Sequence, residues 1–308
     1  MIHIQRQINF MGLRKGAAAL SIILLLASIL SLAINGLKFG LDFTGGSLVE
    51  VTYERPIELE AVRATLRGAG YQDAVVQTFG AANDILIRLG EAHDPQLGQT
   101  ILQLLQSAEE QTVTLRRNEF VGSQVGEELR EQGGLGLLVA LMMVMVYLAF
   151  RFQFKFSVGA VLALAHDVIL VLGFFSFLQI DFDLTVLAAA LAVIGYSLND
   201  TIVVYDRIRE NFRIMRVSEP IEVLNQSLNE TLSRTIVTSL TTLLVLVVLA
   251  FFGGEMIYGF AIALLVGVVV GTYSSIYVAG NILLMLNVSR EDLIPPPPKE
   301  EDEAEQLP

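Results

Sequence analysis

The sequence predicts a polytopic α-helical membrane protein. It should have six transmembrane helices and a small extracytoplasmic α+β domain, of ferredoxin-like βαββαβ order, between helices 1 and 2. Three observations carry this. Of 308 residues, 53% are hydrophobic and 17% are charged, with a mean hydropathy of +0.59; a soluble domain carries about 25% charge. Six stretches are long enough to cross a hydrocarbon core, which takes about 20 apolar residues. The charge is also unevenly placed. Residues 38–132 hold 8 basic and 15 acidic side chains, residues 290–308 hold 2 and 7, and the remainder balances at 10 and 10 within a net charge of −12.

The first span lies within residues 1–37, where 16–37 are uncharged. It is long for the apolar part of a cleaved signal, and Ala27 and Ser28 sit in its middle, so it reads as a retained anchor. The other spans fall within residues 133–289, at about 133–150, 156–180, 184–205, 235–254 and 256–287. Lys and Arg placement orients them. Arg6, Arg14 and Lys15 precede span 1, Arg151 and Lys155 lie between spans 2 and 3, and Arg207, Arg209, Arg213, Arg216 and Arg234 lie between spans 4 and 5. The loops 181–183 and 253–255 hold neither Lys nor Arg. Both termini are therefore expected in the cytoplasm and residues 38–132 outside.

Within 38–132 the pattern changes to that of a small soluble domain. Val49, Val51 and Tyr53 alternate with Glu50 and Thr52, as in a half-buried strand. Leu59, Val62, Leu66 and Ala69 follow helical spacing, and Gly70 suits the stop. Residues 75–79 and 85–89 read as strands around a turn at Gly80 and Asn83. Asp94-Pro95 reads as cap and first-turn proline of a helix whose apolar face is Leu97, Ile101, Leu104, Leu105 and Ala108. Val113 and Leu115 open a last strand. A structural or docking role suits this domain, and the loop Asp42-Phe-Thr-Gly-Gly46 before it reads as a turn. Residues 290–308, with four consecutive prolines and an acidic run, cannot bury a core and are expected to be disordered.

Ionisable side chains inside a span cost about 2.5–3.5 kcal/mol at a helix centre on insertion scales, so they mark function or pairing. Asp200 lies on the cytoplasmic side of the middle of span 4. Val193, Tyr196, Ser197, Asp200 and Val204 share a helical face, on which Tyr196 and Ser197 can hydrogen-bond the carboxyl group. Proton transfer is one reading; a carboxylate paired with a loop arginine is the other. Arg234 opens span 5, with Thr238 and Thr241 on its face, and either switches against a charged Asp200 or only sets orientation. His166 and Asp167 sit near the middle of span 3. Neighbouring helical residues point about 100° apart, which places them on different faces, as a relay or as a local structural pair. Gly267-Val-Val-Val-Gly271 is a small-residue motif of span 6 and weak evidence for a dimer.

Other chemistry is excluded. There is no cysteine for a disulfide, thiolate site or cysteine nucleophile. Three histidines speak against a histidine-rich metal site, and the negative charge speaks against nucleic acid. With no Walker A, dinucleotide fingerprint or HExxH motif, neither an enzyme nor a bound cofactor is expected. The energy source must be an ion gradient or a partner.

Four motifs in order now carry a resemblance: Leu41-Asp-Phe-Thr-Gly-Gly46, Ala165-His-Asp-Val168, the run from Gly195-Tyr-Ser-Leu-Asn-Asp200 to Asn211, and Ser233-Arg-Thr-Ile-Val-Thr238 continuing to Thr242. Over nearly its whole length the chain resembles the SecF family of bacterial protein-export membrane subunits, part of the resistance–nodulation–division superfamily. The resemblance implies a bacterial inner-membrane protein whose six helices form a pseudo-symmetric bundle with six of SecD. It implies association with the SecYEG channel and YajC, and use of the proton-motive force on a translocating unfolded polypeptide after SecA has acted with ATP. It also implies a proton path through Asp200 and Arg234. A small-molecule exporter of the same superfamily is the first alternative, and the single outer domain leaves little room for its cleft. A non-conducting scaffold of the translocon is the second.

The orientation is testable with single cysteines at Asp73, expected outside, and Ser218, expected inside. A membrane-impermeant thiol reagent added to cells with a permeabilised outer membrane should label position 73 alone. Labelling at 218 and not at 73 would reverse the topology.

Overall fold

The computed structural model describes residues 7–72, 74–90, 96–108, 111–215, 219–289 and 291–293. Asp73, the Asp94-Pro95 helix start, Ser218 and nearly all of the acidic tail lie outside the described residues.

Six helices are long and apolar enough to cross a membrane: α1 Arg14–Ile34, α5 Ser123–Arg151, α6 Phe154–Leu178, α7 Leu184–Ile214, α8 Pro220–Phe252 and α9 Glu255–Met285. More than half of the apolar window of α6 is buried, against 6% for α5 and 17% for α8. The centre of the bundle is therefore α6 with α7 and α9, while α5 and α8 turn Leu138, Met142, Leu240 and Leu244 outward. An aqueous protein could not expose such faces, so they belong against lipid or another apolar bundle.

Small residues let the central helices approach. A Cβ built on Gly267 would overlap Val193 Cγ2, and one on Gly271 would lie 2.9 Å from Ser197 Cβ. The glycine pair of span 6 is thus occupied by α7 of its own chain. The sequence could not tell this from dimer packing, because both need the same glycine ridge. Gly173 of α6 meets Ser28 of α1 in the same way, and the Ser31 and Ser176 hydroxyls bond at 2.9 Å.

Three helices run past the apolar stretches that marked them. With 33 residues, α8 is about 50 Å long, well over the roughly 30 Å hydrocarbon core. Its first turns, after Pro220 at the helix start, pair instead with the end of α7. Asn211 Nδ2 donates to Ser227 Oγ at 2.9 Å and to Glu230 Oε2 at 2.7 Å, and Arg207 ion-pairs with Glu230. Asn229 holds both backbone groups of Ile8 at 2.8 Å, tying the N-terminal segment to this hairpin. Helix α5 begins at Ser123, ahead of the apolar run, because Glu127, Glu128 and Arg130 are helix-compatible and exposed. After α9, Asp292 pairs with Lys155 at 2.8 Å. Burial opposes the Asp292 charge, but hydrogen bonds from Lys155 and the Ser289 amide outweigh it and hold the carboxyl below its ordinary range.

Between α1 and α5 stand the one-turn α2 Leu41–Thr44, then β1 Gly46–Tyr53, α3 Leu59–Gly68, β2 Val75–Phe79, β3 Ala81–Leu89, α4 Leu97–Ala108 and β4 Val113–Val121. The sheet order is β2-β3-β1-β4, with antiparallel neighbours and a bulge at Glu50/Val51. Val49, Val51, Tyr53, Ile85 and Ile87 bury one face against Val62, Leu66, Ile101 and Leu105 of the two helices. Gly70 (φ 101°) and Gly80 (φ 81°) stand where the chain turns with positive φ.

The Asp42–Gly46 loop is more than a turn. Phe43 is buried beside Phe175, Phe182 and Val186 of the bundle, and Asp42 Oδ2 accepts from the Leu184 amide at 3.1 Å. The sequence could not show this, because the partner lies 142 residues away.

Gly267→Leu should destabilise the bundle by about 2 kcal/mol through overpacking, whereas Gly136→Ala, at an open position on α5, should not. Denaturant titration in mild detergent checks both. Equal stability of Gly267→Leu and wild type would contradict the close α7–α9 packing.

Candidate functional site

The buried charge of the membrane region gathers where α6, α7 and α9 meet. Asp167 of α6 is fully buried. Its Oδ2 accepts from Ser197 Oγ of α7 at 2.6 Å and from Ser274 Oγ of α9 at 2.7 Å. Its Oδ1 lies 2.9 Å from His166 Nδ1. One carboxylate thus gathers side chains from three helices, and an Asp is suited to this because its two oxygens can accept several hydrogen bonds. His166 Nε2 is buried and makes no hydrogen bond among the described residues. The His166 ring stacks at 6.4 Å on Tyr273, whose hydroxyl donates to the Ala17 carbonyl at 2.7 Å and meets Ser21 Oγ at 2.9 Å. The polar network therefore reaches from α6 through α9 to α1.

His166 and Asp167 are thus brought together, against the expectation of separate faces. Their Cα–Cβ bonds diverge, but the imidazole folds back far enough for Nδ1 to meet the neighbouring carboxylate. Ser197 is also redirected, since its one hydroxyl proton goes to Asp167 and not to Asp200. Ser274 escaped the sequence reading altogether. Its signal was available: Gly267, Gly271 and Ser274 follow at i, i+4 and i+7 on one face of span 6.

Asp200 is a different kind of carboxylate. It shares a buried face with Val193, Ser197 and Val204. Its Oδ2 is buried and makes no hydrogen bond among the described residues, nor does any cation there lie within 4.0 Å of it. The charge of Arg234 on α8 still acts on it through space. Tyr196 Oη, Thr201 Oγ1 and Thr235 Oγ1 on the same two helices are likewise buried without a hydrogen bond. Thr238 and Thr241 do not reach Asp200. Their hydroxyls bond the α8 carbonyls of Arg234 and Val237, at 3.0 and 2.9 Å, the usual local alternative for threonine in an apolar helix. Arg234 itself stands on the outward side of α8.

Depths follow from the helical rise. Asp200 is about 24 Å along α7 from Leu184, and Arg234 about 27 Å along α8 from Phe252. Both lie near the hairpin side of the bundle. Asp167, about 17 Å along α6 from Leu178, lies near the middle. No group of three or more His, Cys, Asp or Glu that could hold a metal ion occurs among the described residues.

Residues 100–289 match the model for "Protein export membrane protein SecD/SecF, C-terminal", and residues 30–57 match the SecD/SecF GG motif. The chain belongs to the SecD/SecF family. Within it, the chain sits with SecF. It is 56% identical to the protein translocase subunit SecF of Pseudomonas aeruginosa, over 95% of this chain and 96% of that one. With the Vibrio alginolyticus SecF it is 50% identical, over 95% and 94%. The crystal structure of SecDF, a translocon-associated membrane protein from Thermus, superposes with a TM-score of 0.84 at 38% identity. That match covers 93% of this chain and 40% of the SecDF chain, so this SecF-like chain spans well under half of the SecDF polypeptide. The GG motif model takes in Asp42 through Gly46, and the C-terminal model takes in His166, Asp167, Asp200, Arg234 and Ser274.

Asp167→Ala removes the acceptor of three groups and should cost about 3 kcal/mol, against about 1 kcal/mol for Ser274→Ala. Denaturant titration of the purified protein in mild detergent measures both. An Asp167→Ala protein as stable as wild type would mean that the three-helix hub does not hold the bundle.

Proposed function

We propose that this multi-pass membrane protein is an accessory subunit of the Sec translocase. In the bacterial inner membrane, with both termini in the cytoplasm, it couples inward proton flow to late steps of protein export. The carrying observation is Asp200, a buried carboxylate on α7 whose Oδ2 makes no hydrogen bond among the described residues. The family membership and the SecDF likeness support the export role over a small-molecule exporter. The βαββαβ element order and the strand order of the outer domain support the ferredoxin-like reading.

The chain's own residues do three things on this reading. Asp200 takes a proton. Arg234 attracts Asp200 through space while it is charged, and that attraction falls away when it is neutral. Asp167, with His166, Ser197 and Ser274, fixes α6, α7 and α9 relative to one another. Tyr196 and Thr201 offer hydroxyls close to the carrier in sequence and Thr235 offers one beside Arg234, while Thr238 and Thr241 serve the helix. A proton crossing the full potential supplies about 2.3 kcal/mol per 100 mV, enough to bias two arrangements of a bundle that differ by a few kcal/mol.

The partner is SecD, whose six helices would cover the outward faces of α5 and α8 and meet Arg234. An arginine facing lipid is costly; one facing a partner bundle is not. SecYEG and YajC are the further partners, the unfolded polypeptide is the substrate, and SecA supplies the earlier ATP-driven push.

Asp200→Asn keeps the shape but cannot ionise. This variant should accumulate normally and bind SecD, yet lose the stimulation of export that depends on the proton-motive force. Arg234→Met should behave alike, and Arg234→Lys should be weaker than wild type because a point charge replaces a planar fork. Export into inverted vesicles with ATP, with and without an uncoupler, is the measurement. Asp200→Asn vesicles that stay as uncoupler-sensitive as wild type, with no second SecF copy present, would exclude Asp200 as the coupling site.

A further inference from the structure

The turn between α6 and α7 is gripped by the outer domain at three points. Asp181 pairs with Lys38 at 2.8 Å and with Arg88 of β3 at 2.6 Å. Phe182 exchanges backbone hydrogen bonds with the segment after α1: its amide donates to the Lys38 carbonyl at 2.7 Å and its carbonyl accepts from Gly40 at 2.8 Å. Its ring packs on Phe39 and Phe43 at 6.2 and 5.9 Å. Asp42 then accepts from the amide of Leu184, the first residue of α7.

Asp183 already caps that helix from within, accepting from Val186 at 2.9 Å. Asp42 is therefore a second, external cap, and a carboxylate at a helix N-terminus is favoured by the helix dipole. On its other side the loop presses on α5: a Cβ built on Gly126 would meet the Phe43 carbonyl at 2.9 Å. Elsewhere the sheet stands off the bundle across a cleft of about 390 Å³ whose walls include Gln77, Arg117 and Met256. Arg117 reaches Met256 at its rim.

The two helices joined by this turn carry Asp167 and Asp200. We infer that the joint made by Lys38, Asp42, Arg88 and Asp181 moves as one piece with α7 and transmits its displacement to the outer domain. These four are positioning residues, and the inference rests on the proton-coupling reading above. A rigid joint follows from its construction. Backbone hydrogen bonds, an ion pair with two cations on one carboxylate and a ring cluster all bind a turn too short to bend independently. A loose tether would need only the covalent chain.

The chain's lack of cysteine makes the joint easy to lock. A Cβ built on Gly40 lies 3.1 Å from Asp183 Cβ, a few tenths of an ångström inside the roughly 3.5–4.5 Å of a disulfide. In Gly40→Cys/Asp183→Cys, assembled in the complete complex and with cross-linking on oxidation verified by loss of free thiol, oxidised and reduced samples should export equally in inverted vesicles. Arrest on oxidation and recovery on reduction would show that the domain slides over the turn, which overturns the inference.

Separately, Asp42→Ala and Arg88→Ala should retain proton uptake while export stimulated by the proton-motive force falls, for Asp42→Ala about fivefold, the factor that one lost helix cap represents. Asp42→Asn should recover most of it, because an amide oxygen still caps. Uptake and export falling in step, or export unchanged, would each overturn the joint as transmitter. Asp200→Asn in the same assay separates the two claims, since wild-type uptake in that variant would refute the proton reading itself.

Discussion

Every polar group inside the hydrocarbon must be satisfied by the protein, and Asp167 is where this chain meets that demand. One carboxylate collects hydrogen bonds from Ser197 and Ser274 and pairs with His166. No two-helix arrangement provides these donors, so α6, α7 and α9 must converge at that depth. The rest of the bundle's geometry follows. Gly267 and Gly271 suit this convergence, because Ser197 of α7 and Ser274 of α9 share one Asp167 oxygen and α7 then lies almost against α9. Gly173 is required because α1 must close over the other side of α6, where Tyr273 and Ser21 continue the network.

Asp200 departs from this rule on the same helix. It lies one turn from Ser197, is as buried, and has an oxygen that bonds to nothing among the described residues. The contrast separates a structural acid from one free to change. Asp167 is tied to side chains of α7 and α9, so moving it disturbs three helices. Asp200 Oδ2 has no such partner among the described residues. The two acids are therefore told apart by their neighbours, not by their depth or their residue type.

That contrast was only partly legible in the sequence. The spans were readable because the bilayer fixes a minimum apolar length, and the strands and helices of the outer domain were readable because each buries a single face. Asp200 was legible as a lone charge in an apolar run. What escaped was nonlocal. Ser274 is an ordinary residue in a span until Asp167 is placed opposite, 107 positions away in the chain. Asp42 reads as a turn residue until α7 begins beside it. Apolar counting also stops at the edge of the hydrocarbon, so it does not reach the water-side turns of α7 and α8, whose charges pair with each other.

Magnitudes decide which part of the bundle an ion gradient can move. Hydrogen bonds to a charged group are worth about 1.5–3 kcal/mol each, so opening the Asp167 hub would require breaking several of them at once. One proton supplies about 2.3 kcal/mol per 100 mV and cannot do that at ordinary potentials. The Asp200–Arg234 interaction has no direct bond to break and depends on one charge, so a single protonation removes it. On the proposed reading, α6, α7 and α9 therefore stay locked at Asp167 while α8 and the arginine it carries change their relation to them. The Asp42–Asp181 joint is attached to the locked side. The outer domain then follows the block of α6, α7 and α9, and the displacement is measured against α8 and whatever covers its outward face.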